Sequence, residues 1–195
     1  MTLFAGFTPS ATDTVVRAGR LAAETGAPRL RTDFLLLALA EGGYLTPPLD
    51  ALAGHGSAVR GHIPEYVSGR TDRELLALLG IDLDEVRRIA EASTGRRLDD
   101  ATLWRLERSR LRRLRYTLRG PAGELRLDGR SRKVVEVAQY WARRRGTPVG
   151  PEHLLWGLLA DGSNESVRVL RRIGVDLPRL GESLQRWYTR SADAR

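Results

Sequence analysis

The chain repeats itself, and this confines it to folds that can set two copies of one helical unit against each other. The block Arg31-Thr32-Asp33-Phe34-Leu35-Leu36-Leu37-Ala38-Leu39-Ala40 returns as Gly150-Pro151-Glu152-His153-Leu154-Leu155-Trp156-Gly157-Leu158-Leu159. Each copy places an acidic residue two positions in and follows it with an apolar run. The flanks repeat as well. Upstream, Phe7-Thr8-Pro9-Ser10-Ala11 lines up with Leu127-Asp128-Gly129-Arg130-Ser131. Downstream, residues 49–59 match residues 170–180 without a gap. A further, partial copy lies at residues 71–93, where Ile81-Asp82-Leu83 echoes Val175-Asp176-Leu177.

Start and stop signals divide the repeats into helices. Thr8 is a good N-cap, with Pro9 at the first helical position, and Gly26-Ala27-Pro28 ends the run. A second helix begins near Thr32 and stops at Gly42-Gly43; Pro47-Pro48 opens a short third; residues 57–62 form a fourth. Between the repeats, Leu103, Leu106, Leu111, Leu114 and Leu118 keep roughly helical spacing amid arginines, which predicts an arginine-rich helix over 98–119. Gly120-Pro121-Ala122-Gly123 breaks it, and only 124–127 reads as a brief extended piece. The expected fold is therefore all-α: two pseudo-twofold helical repeats with an extra helical insertion. The expected boundaries are a first repeat at 1–65, a partial repeat at 66–97, the arginine-rich helix and linker at 98–126, and a second repeat at 127–190.

Composition narrows the chemistry. There is no cysteine, which excludes disulfides, thiol catalysis and thiolate zinc sites and fits a reducing compartment. His55, His62 and His153 are scattered, so neither a metal nor another cofactor is expected. His153 reads as a capping or core residue, with no serine or cysteine partner placed by any motif. No Gly-rich phosphate loop surrounds Lys133, the sole lysine, and no nucleophile–base set stands out. An enzyme is not expected. The N-terminus lacks a basic region followed by an apolar stretch, and no apolar run spans a bilayer. The expectation is a cytoplasmic protein without a membrane partner.

The paired pattern of Phe-Thr, a short helix, a Thr-Glu-His-Leu-Leu-type helix start and a Leu-Gly-Val-Asp-Leu-type segment resembles the Clp N-terminal repeat family. Residues 151–159 and 173–177 carry the resemblance most closely, Thr32-Asp33-Phe34-Leu35-Leu36 more loosely, and the two copies cover roughly two thirds of the chain. In ClpA- and ClpC-type unfoldases this module precedes the ATPase rings. The chain is similar to the free-standing Clp N-domain proteins of actinobacteria, which carry the repeats without the motor. The resemblance implies a non-catalytic adaptor, decoy or regulator in Clp proteolysis. Its partners would be client peptides, Clp ATPase or protease components, or cyclic peptide antibiotics.

The resemblance also implies two sites. In ClpC-type relatives each repeat can bind a phosphorylated arginine of a client. The acidic residue meets the guanidinium, and the helix start, with its free N–H groups, receives the phosphate. Carried over by position, the first site uses Thr8 and Asp33, the second Asp128 and Glu152. Asp33 is one methylene shorter than glutamate, and Asp128 puts a carboxylate where phosphate would sit. All four residues are equally explained as helix caps or dipole partners. An inter-repeat groove for cyclic peptides maps to Phe4, Leu127, Arg132 and Glu136, with Leu127 standing where the family has an aromatic ring.

The formal net charge is +8, carried almost wholly by arginine. The basic surface, Arg105, Arg108, Arg112, Arg113 and Arg115, leaves three readings open. It is a solvated face, a binder of an acidic partner, or a contact for nucleic-acid phosphates. No zinc finger, basic zipper or RNA-recognition signature accompanies it.

Overall fold

Helix starts are where this chain declares its structure. The computed structural model describes residues 2–67, 82, 85, 86, 88, 89, 92, 100–109, 115–121 and 123–193. After a 3-10 turn at Leu3–Gly6, helix α1 runs Pro9–Glu24, its Thr8 Oγ1 accepting the Ala11 amide at 3.2 Å. Helix α2 is Thr32–Ala40, followed by the short helices α3 (Pro47–Asp50), α4 (Gly56–Arg60) and α5 (Pro64–Val67). The second repeat supplies α6 (Gly129–Arg145), α7 (Pro151–Leu159), α8 (Glu165–Arg172) and α9 (Leu177–Asp193). Asp128 caps α6 through the Ser131 amide at 2.6 Å, and Asn164 caps α8 through the Val167 amide at 2.9 Å. The α6 helix ends at Gly146, whose φ of 65° is the left-handed stop that glycine adopts freely.

The two apolar blocks of the repeat form the centre. All nine residues of α2 are buried, so this helix has no solvent face. Its counterpart α7 buries every residue but Trp156 and Leu159. Burial of Phe34, Leu36, Leu37, Leu154, Leu155 and Leu158 gives about 2 kcal/mol each, the main stabilising force at the repeat interface. Helices α6 and α7 approach closely at Gly157, where a Cβ atom would run into the Val134 main chain.

The all-α expectation is corrected by a four-stranded sheet ordered β1-β4-β3-β2. The strands are β1 (Arg29–Leu30), β2 (Arg105–Arg108), β3 (Tyr116–Gly120) and β4 (Gly123–Leu127). Pairs β2–β3 and β3–β4 are antiparallel; β1–β4 is parallel. The described residues of the predicted arginine-rich helix over 98–119 are thus a 3-10 turn (Ala101–Leu103) and two strands. The leucines at i and i+3 that suggested a helix also alternate with charge: Arg105-Leu106-Glu107 and Tyr116-Thr117-Leu118-Arg119. Period two prevails because Leu106 and Leu118 can both reach the core, and both are fully buried. Gly120 pairs with Gly123 at the β3–β4 connection, so the predicted break is a hairpin end. Arg112 and Arg113, Leu111 and Leu114, and nearly all of the partial copy at 71–93 lie outside the described residues. No described helix is long and apolar enough to cross a membrane.

Candidate functional site

Main-chain bonds decide which helix starts meet. The Thr8 amide donates to the Val149 carbonyl at 2.9 Å, and Val149 returns a bond to the Gly6 carbonyl at 2.8 Å. Phe7 and Val149 form a parallel bridge there. At the equivalent place, the Asp128 amide donates to the Leu30 carbonyl at 3.1 Å, extending the β1–β4 pairing. The fold therefore draws the start of α1 to that of α7, and the start of α6 to that of α2. Thr8 is tied to the segment leading to Glu152, and Asp128 to β1, which leads to Asp33. The partners within each junction come from different repeats, not from the same one.

The α6–α2 junction is filled by its own charges. Asp33 is fully buried, and its Oδ2 accepts from Arg31 Nη2 at 2.6 Å and Nε at 3.2 Å. Its Oδ1 accepts the Phe34 amide at 2.9 Å. The Arg31 guanidinium also lies over the Phe34 ring, 5.0 Å from its centroid. The Asp128 carboxylate takes the Ser131 amide at the adjacent helix start. The acid that would meet a guanidinium already holds one, and the helix start that would meet an anion already holds one.

The α1–α7 junction differs. Thr8 leaves it without an anionic cap, and Glu152 makes no ion pair among the described residues. The Glu152 carboxylate folds back over Gly150: a Cβ there would stand 2.8 Å from Oε2. Its charge is felt across the repeat boundary. Burial raises the Tyr44 phenol above its ordinary value, and the Asp13 and Glu152 carboxylates add to the rise. Tyr44 is fixed on α1, its Oη lying 2.5 Å from Thr14 Oγ1 and donating to the Ser10 carbonyl at 3.0 Å. A cleft of about 680 Å³, lined by Gly6, Val149, Leu3 and Ala142, adjoins the Phe7–Val149 bridge. The junction offers a helix start capped by a neutral hydroxyl, a carboxylate with no ion pair among the described residues and a neighbouring cleft.

His153 serves structure here. Its Nδ1 accepts the Gly150 amide at 3.0 Å, and its ring meets Trp187 edge-on at 5.3 Å. Burial, with the nearby Arg145 charge, lowers its pKa to about 4, so it is neutral at pH 7. This capping role was legible in the sequence. No group of three or more His, Cys, Asp or Glu able to hold a metal occurs among the described residues.

Two residues of the expected inter-repeat groove, Arg132 and Glu136, stand beside the hairpin. Burial raises the Tyr116 phenol, and the Glu136 carboxylate beside it adds to the rise; Arg132 and Arg108 pull the other way. Tyr116 thus joins Arg132 and Glu136, a ring that sequence spacing assigned to a helix. Leu127 is buried at the end of β4. Phe4 packs edge-on against Phe7, with centroids 5.6 Å apart. Of the basic surface, Arg105 and Arg108 lie on β2, and the Arg108 guanidinium stands 5.9 Å from the Tyr116 centroid. Arg115 immediately precedes β3, its carbonyl accepting the Ser109 amide at 2.9 Å.

Known proteins resemble part of this chain. The family model described as the Clp repeat (R) N-terminal domain matches residues 126–194, from within β4 through α9. The chaperone protein ClpC of Pisum sativum chloroplasts is 36% identical over 74 residues, 37% of this chain and 8% of that protein. ClpB of Oceanobacillus iheyensis is 41% identical over 58 residues, 29% of this chain and 7% of that protein. The chain therefore spans less than a tenth of the length of these relatives. A solved structure, the N-terminal domain of the Clp protease-associated chaperone ClpD from Arabidopsis thaliana, aligns over 94% of this chain and 97% of that one. Its identity is 19% and its TM-score 0.49. The resemblance read from the sequence to the Clp N-terminal repeat is borne out.

Proposed function

We propose that this chain is a non-catalytic protein-interaction module of the Clp system, acting as an adaptor, decoy or regulator, and that the α1–α7 junction is its peptide site. The observation that carries this is the contrast between the two junctions. Glu152 has no cation beside it, whereas Asp33 is neutralised by Arg31. A client guanidinium pairs with Glu152, while an attached phosphate approaches the start of α1, which is capped by a neutral hydroxyl rather than a carboxylate. Phosphoarginine is the ligand that supplies both groups. Family likeness over residues 126–194 supports a role among Clp components and their clients.

The competing nucleic-acid reading was built on an arginine-rich helix. In its place stands a hairpin on which Arg119 bonds Glu124 at 3.0 Å and lies 3.6 Å from Glu107. These pairs reduce the positive field of the hairpin, which favours the peptide reading.

The test is fluorescence anisotropy with a labelled peptide carrying one phosphoarginine, titrated with wild-type protein and with Glu152→Ala. Saturable binding to wild type, weakened at least about tenfold in the variant, is expected from loss of a charge-assisted pair. Equal binding by the two proteins would sink the assignment.

A further inference from the structure

Arg179, Ser183, Arg186 and Arg190 recur along α9 at the spacing that sets residues on one helical face. They border two clefts of about 500 and 230 Å³. The clefts share Pro47, Ser183 and Arg186, so they are one continuous groove where α3 lies against α9. Its residues are distinct from those of the α1–α7 junction. Pro47 and the half-buried Trp187 line the narrower part; Asp50 and Asp176 line the wider end beside His55. All three arginines are exposed, and none makes an ion pair among the described residues.

We infer that this groove docks an extended acidic segment of a partner protein. Charge complementarity argues for that occupant. Guanidinium forks match carboxylates bidentately, and none of the three arginines makes an ion pair among the described residues. The spacing fits as well. Arg186 and Arg190 are four residues apart, about 6 Å along the helix axis, and alternate side chains of an extended chain are about 6.6 Å apart. Carboxylates at alternate positions therefore meet successive arginines while the peptide backbone crosses Pro47 and Trp187. The far end disfavours a nucleic-acid strand, because Asp50 and Asp176 would face its phosphates. The same carboxylates accept the N–H groups or terminal amine of a peptide. The net charge of +8 steers an acidic segment toward the chain from a distance.

The probe is a fluorescein-labelled peptide alternating glutamate and serine over eight residues, with a glutamine-for-glutamate peptide as its neutral counterpart. Binding is read by anisotropy at 50 and 200 mM salt. Two double variants of equal net charge are compared: Arg186→Ala with Arg190→Ala in the groove, and Arg29→Ala with Arg126→Ala on the sheet. All four side chains are exposed, so both variants keep the fold. The expected result is salt-sensitive binding of the acidic peptide, about tenfold weaker in the groove variant and unchanged in the sheet variant. Equal weakening in both variants, equal binding of the neutral peptide, or no binding overturns the inference. Tighter groove-dependent binding of an eight-nucleotide thymidine strand overturns it too.

Discussion

Arg31 and Asp33 are bound to each other at the start of α2, with Nη2 to Oδ2 at 2.6 Å, and the carboxylate is wholly removed from solvent. Two residues of separation let the guanidinium curl back over the helix start and rest on Phe34. The pair closes one of two junctions, and the helix start there carries the Asp128 carboxylate where the other has the Thr8 hydroxyl. Where the first repeat carries Arg31, the second carries Gly150, which has no side chain to neutralise Glu152. Among the described residues Glu152 therefore lacks the ion pair that Asp33 has.

Removing the cation should expose what it neutralises. Arg31→Ala removes the cation from the buried Asp33 carboxylate, and the expected loss is about 3 kcal/mol. Urea unfolding monitored by tryptophan fluorescence measures it. A midpoint equal to that of wild type would show that the pair contributes nothing.

The caps of this site were readable before the structure, because a cap is local. Thr8 before Pro9 and Asp128 before Gly129 announce helix starts wherever they fall. Which start meets which was not readable. That relation is made by Phe7 with Val149 and by Leu30 with Leu127, short parallel contacts between segments 142 and 97 residues apart in sequence. The hairpin was hidden for another reason. In Leu103-Trp104-Arg105-Leu106 the apolar residues satisfy both a helical and an alternating period over so short a run, and tertiary burial of Leu106 and Leu118 decided between them. Arg31 had a visible signal, a cation two residues before the acid, which the repeat alignment passed over because Gly150 stands opposite it.

The α6–α7 contact depends on an absent side chain. Gly157→Ala drives a methyl group into the Val134 carbonyl, and main chain cannot yield as a flexible side chain does. A loss of about 1–3 kcal/mol is expected, lowering Tm by several degrees. Gly162→Ala, where a Cβ meets nothing within 4 Å, provides the comparison. Equal melting temperatures for the two variants would refute the close approach.

Acid should weaken the second repeat through His153. Its folded pKa of about 4 lies below the ordinary 6.5, so between those values the unfolded chain binds more protons than the folded one. The stabilisation is fully present above pH 6.5 and is lost as pH falls toward 4. His153→Gln keeps an acceptor for the Gly150 amide and removes the titration. Its unfolding free energy should therefore change less with pH across that window than that of wild type, after both are referenced to pH 7. Parallel pH profiles would assign the acid sensitivity to other groups.

Loss of the Thr8 hydroxyl should cost stability and binding by different routes. Thr8→Ala removes the acceptor for the Ala11 amide, at about 1 kcal/mol. Thr8→Asp restores the cap with a negative charge, as Asp128 does in the other repeat. It should recover the melting temperature yet abolish binding of an anionic ligand. Recovery of both would mean that the α1 start is not where the anion sits.

The asymmetry between the junctions is tested most directly by the stoichiometry of phosphoarginine binding in isothermal titration calorimetry. The predicted result is one site per chain, abolished by Glu152→Ala and retained in Asp33→Asn. Two equivalent sites, a single site lost with Asp33 and not with Glu152, or no heat of binding at all would contradict the account.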